Sequence, residues 1–222
     1  MSISHGIRFP WLLASLGVGV AVCAPAAAAV RFVGDVNWSP SASGNLYISL
    51  NSPTGSPTTS TTAVAGWDLG LHAPQGSGLS FSFPAPSVPG PSFDPNPWYG
   101  VMRAPGSISG PGANLALNTV VRSNSSFADG GSVSFGSGSG QWRLNGENFI
   151  GFRFRMGTTN NIHFGWARVL VGASASSFRI THFAFEDVAG ASIMVGSGMP
   201  VPGPGTLALV GAGMFARSRR RR

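Results

Sequence analysis

Asn148-Phe149-Ile150-Gly151-Phe152-Arg153-Phe154-Arg155-Met156 turns through Gly157-Thr158-Thr159-Asn160-Asn161 and returns as Ile162-His163-Phe164-Gly165-Trp166-Ala167-Arg168-Val169. Ile150, Phe152, Phe154 and Met156 share one parity, and Arg153 and Arg155 share the other. Successive side chains of an extended strand point to opposite faces, so this alternation predicts a hairpin across Asn148 to Val171 with one buried face and one wet face. The next strand, Phe178 to Phe185, shifts the parity of its apolar residues after Ile180. Such a shift predicts either a bulge or a strand covered on both faces.

Upstream of the hairpin the same signals recur in shorter form. Val30 to Val36 and Asn45 to Leu50 read as strands with a turn over Ser39 to Gly44, and Ser52 to Thr62 reads as a loop or edge connection. Ala63 to Leu71 carries Gly66-Trp67-Asp68, and Leu79-Ser80-Phe81-Ser82-Phe83 has strict period two. Proline-rich Pro84 to Pro97 reads as a long irregular loop inside one domain, because neither side alone has enough strands for a closed core. Trp98 to Ser109 is strand-like again, with Ile108-Ser109-Gly110-Pro111 closing it. Val120 to Phe127 leads to a strong turn signal at Asp129-Gly130-Gly131 and a strand at Ser132 to Phe135. The glycine run Gly136 to Gly140 lacks the spacing and the strand-turn-helix context of a phosphate cradle. With 32 glycines and only 9% charged residues, the composition suits short strands and tight turns. The expected fold is all-β, a β-sandwich with jelly-roll-like winding over residues 30–199, flanked by an N-terminal signal helix (1–29) and a short C-terminal apolar helix within 200–222.

Both flanks read as addresses. Arg8 precedes an apolar stretch from Trp11 to Val22, and Ala24-Pro25 leads into Ala26-Ala27-Ala28-Ala29. That is the layout of a secretory signal peptide, cut after Ala29 or one residue earlier and too short for a spanning helix. At the other end Met199-Pro200-Val201-Pro202-Gly203-Pro204-Gly205 leads into the apolar run Thr206 to Ala216 and closes on Arg217-Ser218-Arg219-Arg220-Arg221-Arg222. Prolines alternating with glycines cannot join a helix or a central strand, so Val201 to Gly205 is predicted to be an extended, accessible hinge. An apolar helix followed by arginines is a membrane-retention signal, although this run falls well short of the roughly 20 residues that span a bilayer.

The order of these three parts resembles the PEP-CTERM sorting signal. Val201, Pro202 and Pro204 match its Val-Pro-Glu-Pro core, Gly203 stands where glutamate is expected, and Arg217, Arg219, Arg220, Arg221 and Arg222 form the basic stop. The resemblance implies transient membrane anchoring, an exosortase-type membrane protease as partner, and export in a Gram-negative bacterium that makes exopolysaccharide. The hairpin, followed by Phe183-Ala184-Phe185-Glu186 and Gly190-Ala191-Ser192-Ile193, is similar to the C-terminal half of a recurrent group of PEP-CTERM proteins with a Gly-Phe-Arg-Phe and His-Tyr-Gly-Trp-Ala-Arg-Val pattern. Phe164 replaces the usual tyrosine, and the similarity reaches back loosely to Gly106-Ser107-Ile108-Ser109-Gly110-Pro111. It implies a β-sandwich and an export route, and no reaction.

The net charge of +7 does not describe the domain between the flanks. Eight arginines lie in residues 30–199 against seven acidic residues, leaving +1, so the basic stripe that phosphate contacts need is missing and nucleic acid is not an expected partner. Cys23, the one cysteine, lies in the signal, so neither a disulfide nor thiol catalysis is expected of the exported domain. Glycoside hydrolysis usually needs two carboxyl groups about 5–9.5 Å apart. Of Asp35, Asp68, Asp94, Asp129, Glu147, Glu186 and Asp187, no pair stands at matched strand ends. Asp94 and Asp129 sit where turns favour aspartate. No complete G-x-S-x-G occurs, and His72, His163 and His182 are isolated in sequence, so neither a catalytic centre, a cofactor nor a transition-metal site is expected. Calcium held by Glu186, Asp187 and backbone carbonyls is the one metal reading considered.

Aromatic residues carry the remaining hypothesis. Trp67, Trp98, Tyr99, Trp142 and Trp166 either present rings for sugar stacking, with Arg153 and Arg155 as polar partners, or fill the sandwich core. Trp67, Trp98, Trp142, Arg153 and Arg155 are the candidate ligand contacts. The expectation is an exported, non-enzymatic surface or matrix protein associated with exopolysaccharide or biofilm, released from the envelope after tail processing. A carbohydrate-binding, lectin-like module is the alternative, and a polysaccharide-acting hydrolase comes third.

Overall fold

The hairpin forms as its pattern predicts and organises the largest sheet. The computed structural model describes residues 29–34, 36–40, 44–50, 58–74, 78–84, 98–156 and 161–199. The expected signal helix, the sorting tail with its apolar helix, and most of the Gly157 to Asn161 turn lie outside these described residues. The strands are β1 (Val30–Val33), β2 (Asn45–Ser49), β3 (Thr58–Ser60), β4 (Leu69–His72), β5 (Ser80–Ser82), β6 (Gly100–Met102), β7 (Val120–Val121), β8 (Phe127–Ala128), β9 (Gly131–Ser132), β10 (Gly146–Arg155), β11 (Ile162–Val171), β12 (Phe178–Glu186) and β13 (Ile193–Met194). Among the described residues there is no helix.

All ladders between the named strands are antiparallel. A six-stranded sheet has the order β1-β12-β11-β10-β6-β8, a five-stranded sheet the order β3-β2-β4-β5-β9, and β13 pairs with β7 alone. Ile150, Phe152, Phe154, Ala167, Val169, Ile180, Phe183 and Phe185 from the large sheet meet Leu46, Ile48, Leu69, Leu71 and Phe81 from the five-stranded one in a shared core. This is an all-β arrangement of antiparallel sheets consistent with a β-sandwich. Burying one Phe or Leu side chain contributes about 1.5–3 kcal/mol, so this shared core is the main source of stability in a described domain without cysteine.

The parity shift in β12 is a bulge. Arg168 pairs with His182 and Val169 with Ile180, leaving Thr181 as the extra residue. Beyond it the strand is covered on both faces: Phe183 and Phe185 enter the shared core while Ala184 enters a second one. Both outcomes that the pattern allowed therefore occur together.

That second core corrects the expectation of a wet outer face on the hairpin. Phe164, Trp166, Ala184, Met102, Leu115, Val121, Phe127, Ile193 and Val195 pack on the side of the six-stranded sheet away from the sandwich. The cover is the β7–β13 pair with the segment leading to β7. Gly151 permits the approach, since a Cβ there would stand 2.5 Å from Val121 Cγ2 and 3.0 Å from Leu115 Cδ1. Trp166 Nε1–H donates to the Ser197 carbonyl at 3.2 Å, tying the C-terminal segment to the sheet.

Several expected strands are shorter than their patterns. Only Gly100–Met102 of Trp98 to Ser109 pairs, and Val120 to Phe127 divides into β7 and β8 in different sheets. The expected loop over Ser52 to Thr62 contains edge strand β3, paired with β2. Asp129-Gly130 is a turn as predicted, yet it joins no hairpin: it carries the chain from β8 in one sheet to β9 in the other. Gly130 and Gly131 take φ of 136° and 105°, which side chains rarely adopt.

Candidate functional site

The candidate ligand contacts divide on exposure. Trp142 is fully buried in the shared core, with Nε1–H donating to the Gly112 carbonyl at 3.3 Å, so the structure removes it from any ligand surface. Its burial follows from the Phe135–Trp142 bridge, which turns the ring inward onto Phe81 at a centroid distance of 5.6 Å. Trp98 and Arg155 do meet: the guanidinium lies 4.7 Å from the ring centroid. Arg153 lies over Phe127 at 4.6 Å, and its Nε–H donates to the Tyr99 carbonyl at 3.4 Å. Both arginines are half-buried, not set on an open face. Burial lowers the Arg153 pKa from its ordinary value, opposed by Asp129, and burial raises that of Tyr99 with a further push from Asp68. Trp98, Arg153 and Arg155 remain partly exposed.

Trp67 belongs elsewhere, on the outer face of the five-stranded sheet. Leu46, Ile48, Leu71 and Phe81 point into the core, so period two sends Asn45, Tyr47, Gly70, His72, Ser80 and Ser82 to the opposite side. Register aligns them in two rows. Ser60, Tyr47, Gly70 and Ser82 pair successively across β3, β2, β4 and β5, and Asn45, His72, Ser80 and Ser132 pair across β2, β4, β5 and β9.

The polar members are linked. His72 Nδ1 lies 3.1 Å from Asn45 Oδ1, and His72 Nε2 bonds Ser82 Oγ. An amide oxygen only accepts, so Nδ1–H donates to Asn45 and Nε2 accepts the Ser82 hydroxyl proton. Burial pulls the His72 pKa below its ordinary 6.5, favouring this neutral form. Tyr47 stands nearly perpendicular to Trp67, at 5.1 Å and 75°, and to His72, at 5.2 Å and 73°. A Cβ on Gly70 would come 2.5 Å from Ser82 Oγ, 2.8 Å from His72 Nε2 and 3.2 Å from Trp67 Cζ3. Glycine is therefore the floor over which ring, imidazole and hydroxyl converge.

Hydroxyl, imidazole and amide in line have the order of a nucleophile, base and orienting group. The described strands under this face direct no N–H group at a developing charge. Strand N–H groups lie in the plane of the sheet within the ladder, so none is aimed at an oxyanion above Ser82. Glu147 and Glu186 are also separated. Glu147 is ion-paired with Arg168 near the Gly146 end of β10, while Glu186 ends β12 beside the other end of β11. Six strand positions between their levels place them roughly 20 Å apart, beyond the glycosidase range. Glu186 accepts from Val188 N–H at 3.3 Å, and Asp187 accepts from Ala29 N–H at 3.2 Å and pairs with Arg31 at 3.5 Å. These two carboxylates are engaged separately, and among the described residues no group of three or more His, Cys, Asp or Glu could hold a metal ion. The other histidines serve the scaffold: His163 Nδ1–H donates to the Glu186 carbonyl at 2.9 Å, and His182 Nδ1 lies 3.1 Å from Thr181 Oγ1.

Sequence reasoning missed Asn45, Tyr47, His72 and Ser82 as a group because His72 stands 27 residues from Asn45 and 10 from Ser82. The usable signal was the run of polar residues alternating with core residues in three neighbouring strands. Comparison of the chain with family models, curated proteins and solved structures finds no match.

Proposed function

We propose that this chain is an exported, non-enzymatic surface or matrix protein, held briefly at the membrane by its C-terminal tail and released by an exosortase-type protease into exopolysaccharide material. The sequence ground is the pair of terminal addresses, with Ala29 at the signal cleavage site and Val201 to Arg222 as the sorting tail. The structural observation that carries the reading is that the first strand and the last described segment meet on one sheet. β1 pairs with β12 through Val30 to Val33, and Gly198 lies against Phe32. The first strand and the last described segment thus pack on each other.

The separation of Glu147 from Glu186 supports a role without bond chemistry. In fold terms we read the sheets as a sandwich. Of the jelly-roll-like winding expected, the pairing of the first strand with one near the end of the chain, β1 on β12, speaks for it. The run of sequence neighbours β12-β11-β10 within one sheet speaks against it.

Intact mass of the product recovered from producing cells tests the proposal. The expected species lacks the first 28 or 29 residues and the tail, and deletion of Val201 to Arg222 shifts the protein from the envelope to the medium or periplasm. A cytosolic product with both ends intact overturns it.

A further inference from the structure

The five strands of the smaller sheet carry no charged residue: their sequences are Asn-Leu-Tyr-Ile-Ser, Thr-Thr-Ser, Leu-Gly-Leu-His, Ser-Phe-Ser and Gly-Ser. The outer face they present is not apolar either. It combines two half-buried aromatic rings, Tyr47 and Trp67, with an amide, an imidazole and hydroxyls already ordered by mutual hydrogen bonds. We infer that this face, centred on Gly70 and lined by Asn45, Tyr47, Trp67, His72 and Ser82, binds a neutral saccharide chain.

The argument runs from the chemistry of the lining to that of the ligand. Nucleic acid and acidic polysaccharide need cations, and none of these residues supplies one at neutral pH. A hydrophobic partner would need a contiguous apolar patch, and here each ring is bordered by polar atoms. A sugar offers both surfaces that the face can use: C–H groups that pack on rings, and hydroxyls that exchange hydrogen bonds with neutral donors and acceptors. With Nδ1–H committed to Asn45 Oδ1 and the Ser82 proton committed to Nε2, the Asn45 NH2 group can donate to a ligand hydroxyl and the Ser82 oxygen can accept from one. The network holds these groups before binding, which limits the ordering cost. The rows continue through Ser60 on one side and Ser80 and Ser132 on the other, so polar positions extend beyond the rings along the direction an extended chain would follow.

The inference deepens the proposed function by naming what the exported domain holds, and it is tested apart from export. The purified full-length chain is run by native electrophoresis through gels containing a neutral glucan, a neutral galactan or a neutral mannan. Retardation is expected in at least one of these gels and not in a gel without polysaccharide. Tyr47→Ala and Trp67→Ala should each weaken it by about tenfold or more, the loss typical of a central aromatic contact. Asn45→Ala, in a side chain removed from both cores, should weaken it while the far-ultraviolet spectrum stays native. No retardation in any neutral gel at millimolar repeat units overturns the inference, as does retardation that survives all three substitutions. Self-association in the ultracentrifuge that the same substitutions abolish assigns the face to a second copy and also overturns it. None of these results depends on whether the termini are processed.

Discussion

Gly165→Ala tests the packing of the shared core at a tight point. Gly165 pairs with Phe152 across β10 and β11, and the Phe152 ring lies over it while stacking on Phe183 at 5.3 Å and 14°. A Cβ on Gly165 would stand 2.5 Å from Phe152 Cε2 and 2.8 Å from the Ala184 carbonyl oxygen. Carbon atoms pack best at about 3.5–4.0 Å, so the ring must retreat by roughly 1 Å into a core where its far side already meets Phe183. Overpacking of this kind costs about 1–3 kcal/mol. For a domain of this size that lowers Tm by roughly 2–12 °C. Gly78→Ala is the control, because no atom lies within 4 Å of the added Cβ. It should leave stability unchanged or raise it by up to about 1 kcal/mol through the unfolded chain. Urea titration followed by near-ultraviolet circular dichroism measures both. In a Phe152→Leu background the cost of Gly165→Ala should shrink, since part of the obstacle is gone and only the β12 carbonyl remains. Equal stability of the Gly165 and Gly78 variants, or a Gly165 cost undiminished beside Leu, refutes the reasoning.

Two further outcomes follow from buried polar groups. Asn148 is fully buried and closes the turn before β10: its Oδ1 accepts Arg143 N–H at 2.7 Å and its Nδ2 donates to the Arg143 carbonyl at 3.0 Å, so Asn148→Ala should cost about 1–3 kcal/mol in the same titration. His72 has a folded-state pKa below 6.5, so between the two values the unfolded chain binds a proton that the folded chain does not. Its effect on stability is constant above pH 6.5 and turns unfavourable as pH falls through that window. His72→Gln should flatten this part of the profile of melting temperature against pH, and an unchanged slope would count against the assignment.

The hairpin was legible because its information is local. Ile150, Phe152 and Phe154 alternate with other residues along one strand, and the same alternation places them in the shared core. The bulge at Thr181 was legible for the same reason, since a change of parity is written in consecutive residues. The weak stretches were those where neighbours decide. Trp98 to Ser109 has strand-like composition, but only three residues find partners in the ladder.

The tryptophans show where local reading ends. Trp67 and Trp142 look alike in sequence, yet one ring stands half-exposed beside Tyr47 and the other is sealed beneath Phe81. Arg153 and Arg155 occupy the predicted face of β10, but distant segments cover the neighbouring positions of that face. Sequence alone determined the all-β character, the core-facing parity of β10 and the near-neutral charge of the central domain, because these follow from backbone period and side-chain chemistry. The tertiary structure decided that the large sheet has a second core, that Trp142 is buried, and that Asn45, His72 and Ser82 meet above Gly70. Those outcomes depend on register between strands far apart in the chain, and no local pattern specifies which residue will stand opposite which.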